Sequence, residues 1–576
     1  MEGKSKKFPF HERIERAAVS IEGHPEGIPL ANKAPNQPEG HTRTSRTLLL
    51  ANSLVFASST CIMVLEIVAA RLVAANLGVS LYTWTSVIGV ILAGISIGNI
   101  AGGKIADRYQ PTRVLPMLFL AASVLSFSVL WLNHYAGSWW RPESMSWSGW
   151  VLFNVIVIFL LPATVLGTIG PIVAKMALGQ GKKIGTTMGN IYAWAAAGSI
   201  FGTFLTGFVL IEWIGTRAIV TSVAGLLAMI GLGLASMEYR SGGAFISTWL
   251  MILGLFNVVS FGPWPWAREI GMFLLLRPDH SNLEYFSESN YFSIQVYEAP
   301  DIENARILAL DNLVHSYVSS TDVTHLIYDY ETIYAAIVER VAAFGQPLRS
   351  LFIGGGGFVF PRYMEAVYPV ASIDVAEIDP AVKRAANRAL YLPPDDETKI
   401  TTYTMDARNL VEDLLRDDGA GSYDFIFGDA FNDLSVPYHL TTLEFTAKLR
   451  ELLKPDGVYM INIIDIYAEG FGRFLGSFVG TSIQNFAYVY VFSSSDDGPT
   501  DDRDTFIVAC SMRPLDIHNL GTRPGVDGFE GVLFAWAEDG ILGGQMETVL
   551  ERSRGLILTD NFAPVDNLLA PILSGQ

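Results

Sequence analysis

The chain has 576 residues and a formal net charge of −18, unevenly distributed: residues 48–262 hold five acidic residues and residues 263–576 hold 46. The C-terminal part has 21 Lys and Arg and a net charge of −25, so it attracts cations and repels polyphosphate, which argues against nucleic acid as a partner. The two cysteines, Cys61 and Cys510, lie far apart and predict neither a disulfide framework nor a zinc site, so we expect no metal.

The first 47 residues mix charged side chains with Pro and Gly and show no helical apolar stripe. They predict a disordered or surface-lying, cytoplasmic tail. Seven apolar stretches follow, and most reach the roughly 20 residues that a helix needs to cross a bilayer. We therefore predict an integral membrane protein of a cell (inner) membrane, with about seven transmembrane helices in the lipid bilayer over residues 48–276. The stretches are 48–70, 82–102, 114–133, 151–177, 189–211, 218–237 and 245–262.

Small residues recur at four-residue spacing inside these stretches, as in Gly94-x3-Gly98 and Gly198-x3-Gly202. This spacing places them on one helical face, where two backbones can approach closely, and predicts packing within the bundle. Glu66 and Arg71, near the end of the first stretch, predict an interfacial ion pair in preference to a functional pair.

Basic residues set the expected orientation of the bundle. Lys104, Arg108 and Arg113 mark the loop between stretches two and three as cytoplasmic, and Lys183 does the same for the loop between four and five. Seven spans then leave the C-terminal part outside. An eighth, short segment around residues 264–276 would return it to the cytoplasm, where an active enzyme is expected. The sequence leaves the side open.

The pattern changes after the apolar stretches. Residues 277–345 contain short strand-like segments and predict a small β subdomain with a connecting helix. Over residues 346–576, strands alternate with helices, which predicts an α/β doubly wound, Rossmann-like methyltransferase-type domain with a mainly parallel sheet. The predicted strands are 292–297, 306–310, 316–319, 351–353, 372–376, 425–427 and 458–464.

The candidate site lies at the strand ends of that sheet. The first strand runs into Gly354–Gly357, and glycine lets a backbone approach a ligand closely. Glu377 follows the second strand, where a carboxylate can accept hydrogen bonds from both ribose hydroxyls. Asp406 and Asp429 follow two further strands, and Asp406 can accept a hydrogen bond from the adenine amine. We predict a pocket for an adenosyl nucleoside, and a cationic sulfonium suits these acids better than NAD or ATP.

At these residues the chain resembles the spermidine synthase (polyamine aminopropyltransferase) family, in its membrane-fused branch, over roughly residues 280–570. The membrane part resembles that branch at Gly-Gly-Lys-Ile-Ala-Asp-Arg (102–108) and Gly-Asn-Ile-Tyr (189–192). The other motifs are Glu-Ser-Asn-Tyr (288–291), Leu-Asp-Asn (310–312), Ile-Gly-Gly-Gly (353–356), Glu-Ile-Asp-Pro (377–380), Asp-Ala-Arg (406–408), Gly-Asp-Ala (428–430), Leu-Lys-Pro-Asp-Gly (453–457), Leu-Thr-Asp-Asn (558–561) and Ala-Pro-Val (563–565).

The resemblance implies transfer of an aminopropyl group from decarboxylated S-adenosylmethionine to a small-molecule amine, such as putrescine or another polyamine. It implies that Asp429 binds and helps deprotonate the amine, supported by Tyr330. It further implies a nucleoside-binding set: Gly354, Gly355, Gly356, Glu377, Asp406 and Ala407. The candidate substrate-binding residues are His315, Glu331, Asp433 and His439.

The amine half departs from the family pattern, because Gly357 stands where the family usually has Asp and Phe292 where it has Gln. Two alternatives therefore stay open. One is an S-adenosylmethionine-dependent methyltransferase-like enzyme, and the other is a non-catalytic membrane subunit that retains the fold. A homo-oligomer or docking to a larger membrane complex is compatible with either. The sequence does not specify the acceptor amine.

Overall fold

The structure is a computed structural model. It describes residues 39–136, 139, 141–142, 144–180, 183–238, 258–259, 264–273, 283–311, 313–342, 346–430, 436–495, 503–515, 534–537, 540–541 and 544–574. Residues Thr47–Gln576 form one compact unit, and Met1–Arg46 form another. All features below lie in the larger unit, apart from the first residues of the first helix.

The N-terminal part is helical. Its elements are α1 (Glu39–Leu77), α2 (Leu81–Arg108), α3 (Pro111–Ala136), α4 (Trp147–Leu178), α5 (Ile184–Leu205), a π turn (Thr206–Leu210), α6 (Ile211–Ile214) and α7 (Thr216–Glu238). Six helical segments are long and apolar enough to cross a membrane, and they match the first six apolar stretches. The seventh stretch, 245–262, lies outside the described residues except for 258 and 259.

Glycines let the helices of this bundle pack closely. A Cβ atom on Gly98 of α2 would lie 2.2 Å from the Thr164 carbonyl oxygen of α4, closer than a real Cβ can approach. A Cβ on Gly198 of α5 would lie 2.3 Å from the Phe56 carbonyl oxygen of α1. The packing role predicted for the small-residue stripes is therefore confirmed at these positions.

A short helix, α8 (Pro265–Phe273), precedes the C-terminal part, and its nine residues are too few to cross a bilayer. Four strands then form an antiparallel sheet in chain order, followed by α9 (Asp329–Val341). The first of these strands is absent from the sequence-based prediction. They are β1 (Leu283–Glu288), β2 (Ser293–Glu298), β3 (Ala305–Leu310) and β4 (Leu313–Ser319).

The main sheet has nine strands in the order β13-β12-β10-β11-β9-β8-β5-β6-β7. Strands β5 to β9 are parallel neighbours, as predicted, and an antiparallel extension continues from β9. The strands are β5 (Arg349–Ile353), β6 (Ser372–Ala376), β7 (Ile400–Tyr403), β8 (Tyr423–Gly428), β9 (Leu453–Ile466), β10 (Tyr488–Ser493), β11 (Arg503–Ser511), β12 (Phe534–Ala537) and β13 (Gly540–Ile541).

Helices connect these strands and cover the sheet. They are α10 (Val359–Val367), α11 (Pro380–Ala389), α12 (Ala407–Arg416), α13 (Leu443–Leu452), α14 (Arg473–Ser482), α15 (Gly544–Arg552) and α16 (Val565–Ser574). The chain order reverses at β5, which lies between β6 and β8. In open α/β sheets such a switch point forms a crevice beyond the carboxyl ends of the strands, where ligands bind.

The C-terminal part packs against one end of the helical bundle. The backbone N–H of Leu81, at the start of α2, donates to Asp566 of α16 at 2.8 Å. At the start of α7, the N–H of Thr216 donates to Glu288 of β1 at 2.6 Å. The basic helix ends lie at the other end of the bundle, because α2 ends and α3 begins there.

Candidate active site

The glycine turn after β5 brings two strand ends into direct contact. Gly354 has φ of 102°, in the region that favours glycine, and a Cβ there would lie 2.2 Å from the Asp429 carbonyl oxygen. The Gly354 N–H donates to Ala376 at the end of β6, and the Asp429 N–H donates to Ile353. A side chain at position 354 would therefore separate β5 from β8 at the point where the crevice opens.

Glu377, at the end of β6, holds the glycine turn. Its Oε2 accepts a hydrogen bond from the Gly355 N–H at 2.9 Å, and its Oε1 accepts one from the Asp379 N–H at 2.9 Å. The side chain is buried, and this burial raises the pKa of Glu377 to about 7, although the backbone donors act in the opposite direction. Oε2 also accepts a longer hydrogen bond from the Gly356 N–H at 3.4 Å, so the lone pair left for a ligand hydroxyl is on Oε1.

Asp406 follows β7 and caps the N-terminus of α12. Its Oδ1 accepts from the Arg408 N–H at 2.9 Å, and its Oδ2 lies 3.0 Å from Nε2 of His439. The hydrogen bond from His439 lowers the pKa of Asp406 below its usual range. The structure thus brings together Asp406, Ala407 and His439, three of the predicted site residues, along one wall of the crevice.

A cavity of about 230 Å³ lies between these strand ends. Phe358, which could have filled it, is fully buried in the core in a left-handed conformation and does not line the cavity. We name this space the nucleoside cavity, after the ligand that the sequence predicts for it. It is lined by Tyr291, Phe292, Leu310, His315, Gly354, Gly356, Ala376, Glu377, Ile378, Asp406, Ala407, Asp429, Ala430, Pro437, His439 and Leu440.

Asp429, at the end of β8, is held by two side-chain donors. The Tyr330 hydroxyl donates to Oδ2 at 3.2 Å, and Nδ2 of Asn462 donates to Oδ1 at 2.8 Å. Burial raises the pKa of Asp429 to about 6, and both donors oppose that rise. A buried carboxylate with a raised pKa and a fixed orientation is suited to accept a proton near neutral pH.

A second cavity of about 270 Å³ meets the first at His315, Gly356 and Asp429. We name it the acceptor chamber, after the amine acceptor that the family resemblance implies. Asp429 therefore stands at the border between two spaces, one beside the acidic strand ends and one beside the small sheet. The other residues that line the chamber are Leu313, Val314, Ser316, Tyr328, Tyr330, Asn462, Ile464, Arg503, Asp504 and Thr505.

Neighbouring side chains leave no space at position 357 for the Asp that the family usually has there. A Cβ at this position would lie 2.7 Å from Cβ and 2.9 Å from the hydroxyl oxygen of Ser316, and 3.1 Å from a methyl group of Val318. The Ser316 hydroxyl accepts a hydrogen bond from the Gly357 N–H at 2.9 Å. Strand β4 therefore occupies the space that a carboxylate would need.

The remaining predicted residues have different positions. His315 lines both spaces, and its Nδ1 lies 3.0 Å from the Leu313 carbonyl oxygen. Glu331 is buried, is not among the residues that line either space, and has its pKa raised well above the usual range by burial and then by Asp429. Asp433 lies outside the described residues.

Sequence reasoning missed three residues that touch Asp429 or the acceptor chamber: Ser316, Asn462 and Arg503. Asn462 carried a usable signal, because it is a lone amide in the apolar run of β9 and a buried amide needs a partner. Ser316 and Arg503 carried none, since their approach to the site depends on how β4 and β11 pack.

The chain was also compared with known proteins. No protein-family model matches it. A polyamine aminopropyltransferase of Vibrio vulnificus is 39% identical over 121 residues, which cover 20% of this chain and 38% of that relative, well under half its length. A polyamine aminopropyltransferase of Oceanobacillus iheyensis is 21% identical over 73% of this chain and 78% of its own.

Among solved structures, a probable spermidine synthase from Corynebacterium glutamicum covers 49% of this chain and 98% of its own, with 19% identity and a TM-score of 0.40. The resemblance predicted from the motifs is confirmed by the relatives in sequence. This chain is similar to polyamine aminopropyltransferases, with a bundle of long apolar helices ahead of the α/β part.

Proposed function

We propose that this protein is a membrane-bound aminopropyltransferase that uses decarboxylated S-adenosylmethionine and an amine acceptor. The observation that carries the proposal is the position of Asp429 at the border between the nucleoside cavity and the acceptor chamber. Glu377 and Asp406 would bind the ribose and the adenine amine on one side of it. Their negative charge suits a sulfonium nucleoside, whose net charge is positive.

The reaction would be one in-line displacement. The acceptor nitrogen forms a bond to the aminopropyl carbon beside the sulfonium, the carbon–sulfur bond breaks, and its electron pair stays on sulfur in neutral methylthioadenosine. A protonated amine has no lone pair for this attack, so Asp429 would accept its proton and orient the nitrogen. Tyr330 and Asn462 fix the carboxylate, which supports attack along a defined line.

The acceptor chamber has mixed charge. Of its two carboxylates, Asp504 already accepts hydrogen bonds from the hydroxyl groups of Ser493 and Ser494 and from the Thr505 N–H. Asp429 is the other carboxylate, and Arg503 adds a cation to the same lining. The positive charge of Arg503 disfavours a second ammonium group in the chamber, relative to a neutral or anionic far end of the acceptor.

We further propose that the bundle crosses a membrane and that the C-terminal part faces away from the cytoplasm. This differs from the cytoplasmic side expected for an active enzyme, so the co-substrate would have to be supplied on the opposite side of the membrane. Glu238, at the end of α7, pairs with Arg113 at the start of α3, among the basic helix ends that favour the cytoplasm. At the other end of α7, Glu288 accepts a hydrogen bond from the Thr216 N–H. Because α7 has 23 residues and is about 34 Å long, Glu238 and Glu288 lie at opposite ends of the bundle, and Glu288 lies at the end away from the basic residues.

Two experiments test these proposals. The purified full chain is incubated with decarboxylated S-adenosylmethionine and single amines, and products are measured by mass spectrometry. We expect methylthioadenosine and an aminopropylated amine in equal amounts, and methylated product from S-adenosylmethionine would support the methyltransferase alternative instead. For the orientation, C-terminal fusions to alkaline phosphatase and to a fluorescent protein are compared. We expect phosphatase activity, and a fluorescent fusion with inactive phosphatase contradicts the proposed side.

A further inference from the structure

The loop between β1 and β2, residues 288–292, touches both the bundle and the nucleoside cavity. We name it the junction loop. Its Tyr291 lines the nucleoside cavity and also a separate cavity of about 150 Å³ between the bundle and the soluble part, the junction cavity. At one end of the loop, Glu288 accepts the hydrogen bond from Thr216 at the start of α7. The junction loop is therefore fixed to a membrane helix at one end and forms cavity wall at the other.

The junction loop is also linked to Glu377. The Ser289 hydroxyl donates to the carboxylate of Asp379, which is fully buried and caps α11 through the Ala381 N–H. The Asp379 N–H donates in turn to Oε1 of Glu377 at 2.9 Å. Two hydrogen bonds thus connect the loop to the carboxylate proposed to bind ribose.

Arg71 of α1 faces this network from the bundle. It lines the junction cavity together with Glu288 and Asp311, and Arg217 of α7 lines it as well. Nη1 of Arg71 is buried and has no hydrogen-bond partner among the residues that the structure describes. Burial raises the pKa of Asp311, and the positive charge of Arg71 opposes this rise. Asp311 accepts the Ser293 N–H at 3.0 Å, directly after the junction loop.

We propose that Arg71 is a positioning residue for the nucleoside cavity, so that the membrane bundle supplies part of the electrostatic support of the active site. This proposal rests on the proposed function of the cavity. Without the Arg71 cation, the carboxylates of Glu288, Asp311 and Asp379 repel one another in a partly buried space, and the junction loop relaxes. Tyr291 and Asp379 then lose their fixed positions, and nucleoside affinity falls.

The test compares full-length variants for nucleoside affinity. We expect Arg71→Gln to raise the dissociation constant of decarboxylated S-adenosylmethionine about tenfold, as loss of one charge-assisted contact does, while the KM of the acceptor stays within about twofold. Arg71→Lys keeps the charge and should recover affinity to within about threefold of the wild type. The matched control is Arg113→Gln at the other end of the bundle, where the arginine side chain is 66% exposed and no change is expected.

Hydrogen exchange gives a readout that does not need a ligand. In Arg71→Gln, the amides of Ser293 and Asp379 should exchange faster than in the wild type, and they should be unchanged in Arg113→Gln. If the wild type binds the nucleoside and Arg71→Gln binds it equally well, the inference is wrong and the proposed function stands. If the wild type binds no nucleoside, the proposed function fails, and unchanged exchange would overturn the inference as well.

A variant that fails to fold does not end the test. If Arg71→Gln does not accumulate, Glu288→Leu removes the acceptor that fixes the junction loop to the Thr216 N–H at the start of α7, and it should raise the dissociation constant and the exchange rates in the same direction. Unchanged values for both quantities in that variant contradict the proposal. A fall in melting temperature with unchanged nucleoside affinity also contradicts it, because it indicates a purely structural role.

Discussion

The nucleoside cavity and the acceptor chamber share Asp429 but are built differently. The nucleoside cavity takes polar groups from the carboxyl ends of four parallel strands, where Gly354, Glu377, Asp406 and Asp429 each follow within three residues of the strand end. The acceptor chamber takes its polar groups from β4, α9, β9 and β11, which are distant in sequence. The fold therefore largely determines the polar lining of the nucleoside cavity, whereas individual side chains from distant segments determine that of the acceptor chamber.

The largest effect should come from the residue that both spaces share. We expect Asp429→Asn to lower kcat about a thousandfold, because the amide cannot accept the amine proton, and to change the nucleoside dissociation constant less than threefold. Steady-state kinetics and calorimetry measure the two quantities. Asp395→Asn, at an exposed carboxylate paired with Lys383, is the matched control and should have no effect. A raised dissociation constant with unchanged kcat would show that Asp429 serves binding alone.

A change confined to the nucleoside cavity should separate the two spaces. Glu377→Gln removes the charge that accepts ribose hydroxyls and should raise the nucleoside dissociation constant tenfold to about a hundredfold, the range for hydrogen bonds to a charged group. The KM of the acceptor should change little. Titrations with nucleoside and with amine, each at saturating partner, measure both constants. A matching rise in the acceptor KM would contradict the separation of the two spaces.

The raised pKa values give activity and stability opposite dependence on pH. Asp429 titrates near 6 and Glu377 near 7, and both must be carboxylates for the proposed roles. We therefore expect kcat/KM to rise as pH increases from 5 to 8. It should fall roughly tenfold per unit between pH 7 and 6, where one carboxyl is protonated, and roughly a hundredfold per unit below 6, where both are. Because burial disfavours the charged forms, their contribution to folding stability is present at low pH and is lost as pH rises through these values.

Thermal melting and initial rates over the same pH series check this expectation. Asp429→Asn should remove the part of the melting profile that belongs to position 429. If the melting temperature and kcat/KM rise together between pH 5 and 7, these two carboxyls do not titrate as described.

The smallest effect should come from the acceptor chamber. Arg503→Gln removes the arginine charge from the described lining of the acceptor chamber. It should change the preference between a diamine and an amine with an anionic far end by about threefold to tenfold, in favour of the diamine. The nucleoside constant should stay the same. Competition between putrescine and γ-aminobutyrate measures the ratio. An unchanged ratio would show that Arg503 does not contribute to acceptor choice.

The same comparison explains what the sequence could predict. Glu377, Asp406 and Asp429 could be predicted because each comes within three residues of the end of a strand, and parallel strands place such residues at one edge of the sheet. The six long apolar helices of the described residues could be predicted from the length of the apolar stretches, since a segment that crosses lipid must satisfy every backbone group within a helix. These features depend on local sequence patterns and on general rules for parallel sheets and apolar helices, so a single sequence is enough to predict them.

Other features depend on contacts between distant segments and could not be predicted in that way. The clash that keeps Gly357 without a side chain involves Ser316, 41 residues earlier, and the pairing of Asp406 with His439 spans 33 residues. The antiparallel extension from β10 to β13 follows from strand pairing that periodicity does not specify. The hydrogen bond from the start of α7 to Glu288 likewise joins distant segments, so the sequence alone could not predict it.

We propose that the acidic residues at the strand ends of the nucleoside cavity bind a cationic adenosine derivative that lacks a carboxylate. Calorimetric titration of the purified full chain with decarboxylated S-adenosylmethionine and with S-adenosylmethionine tests it most directly. We expect the decarboxylated form to bind at least tenfold more tightly, because an added carboxylate would be repelled by Asp429 and Glu377. Equal or tighter binding of the carboxylated form, or no binding of either, would contradict the account.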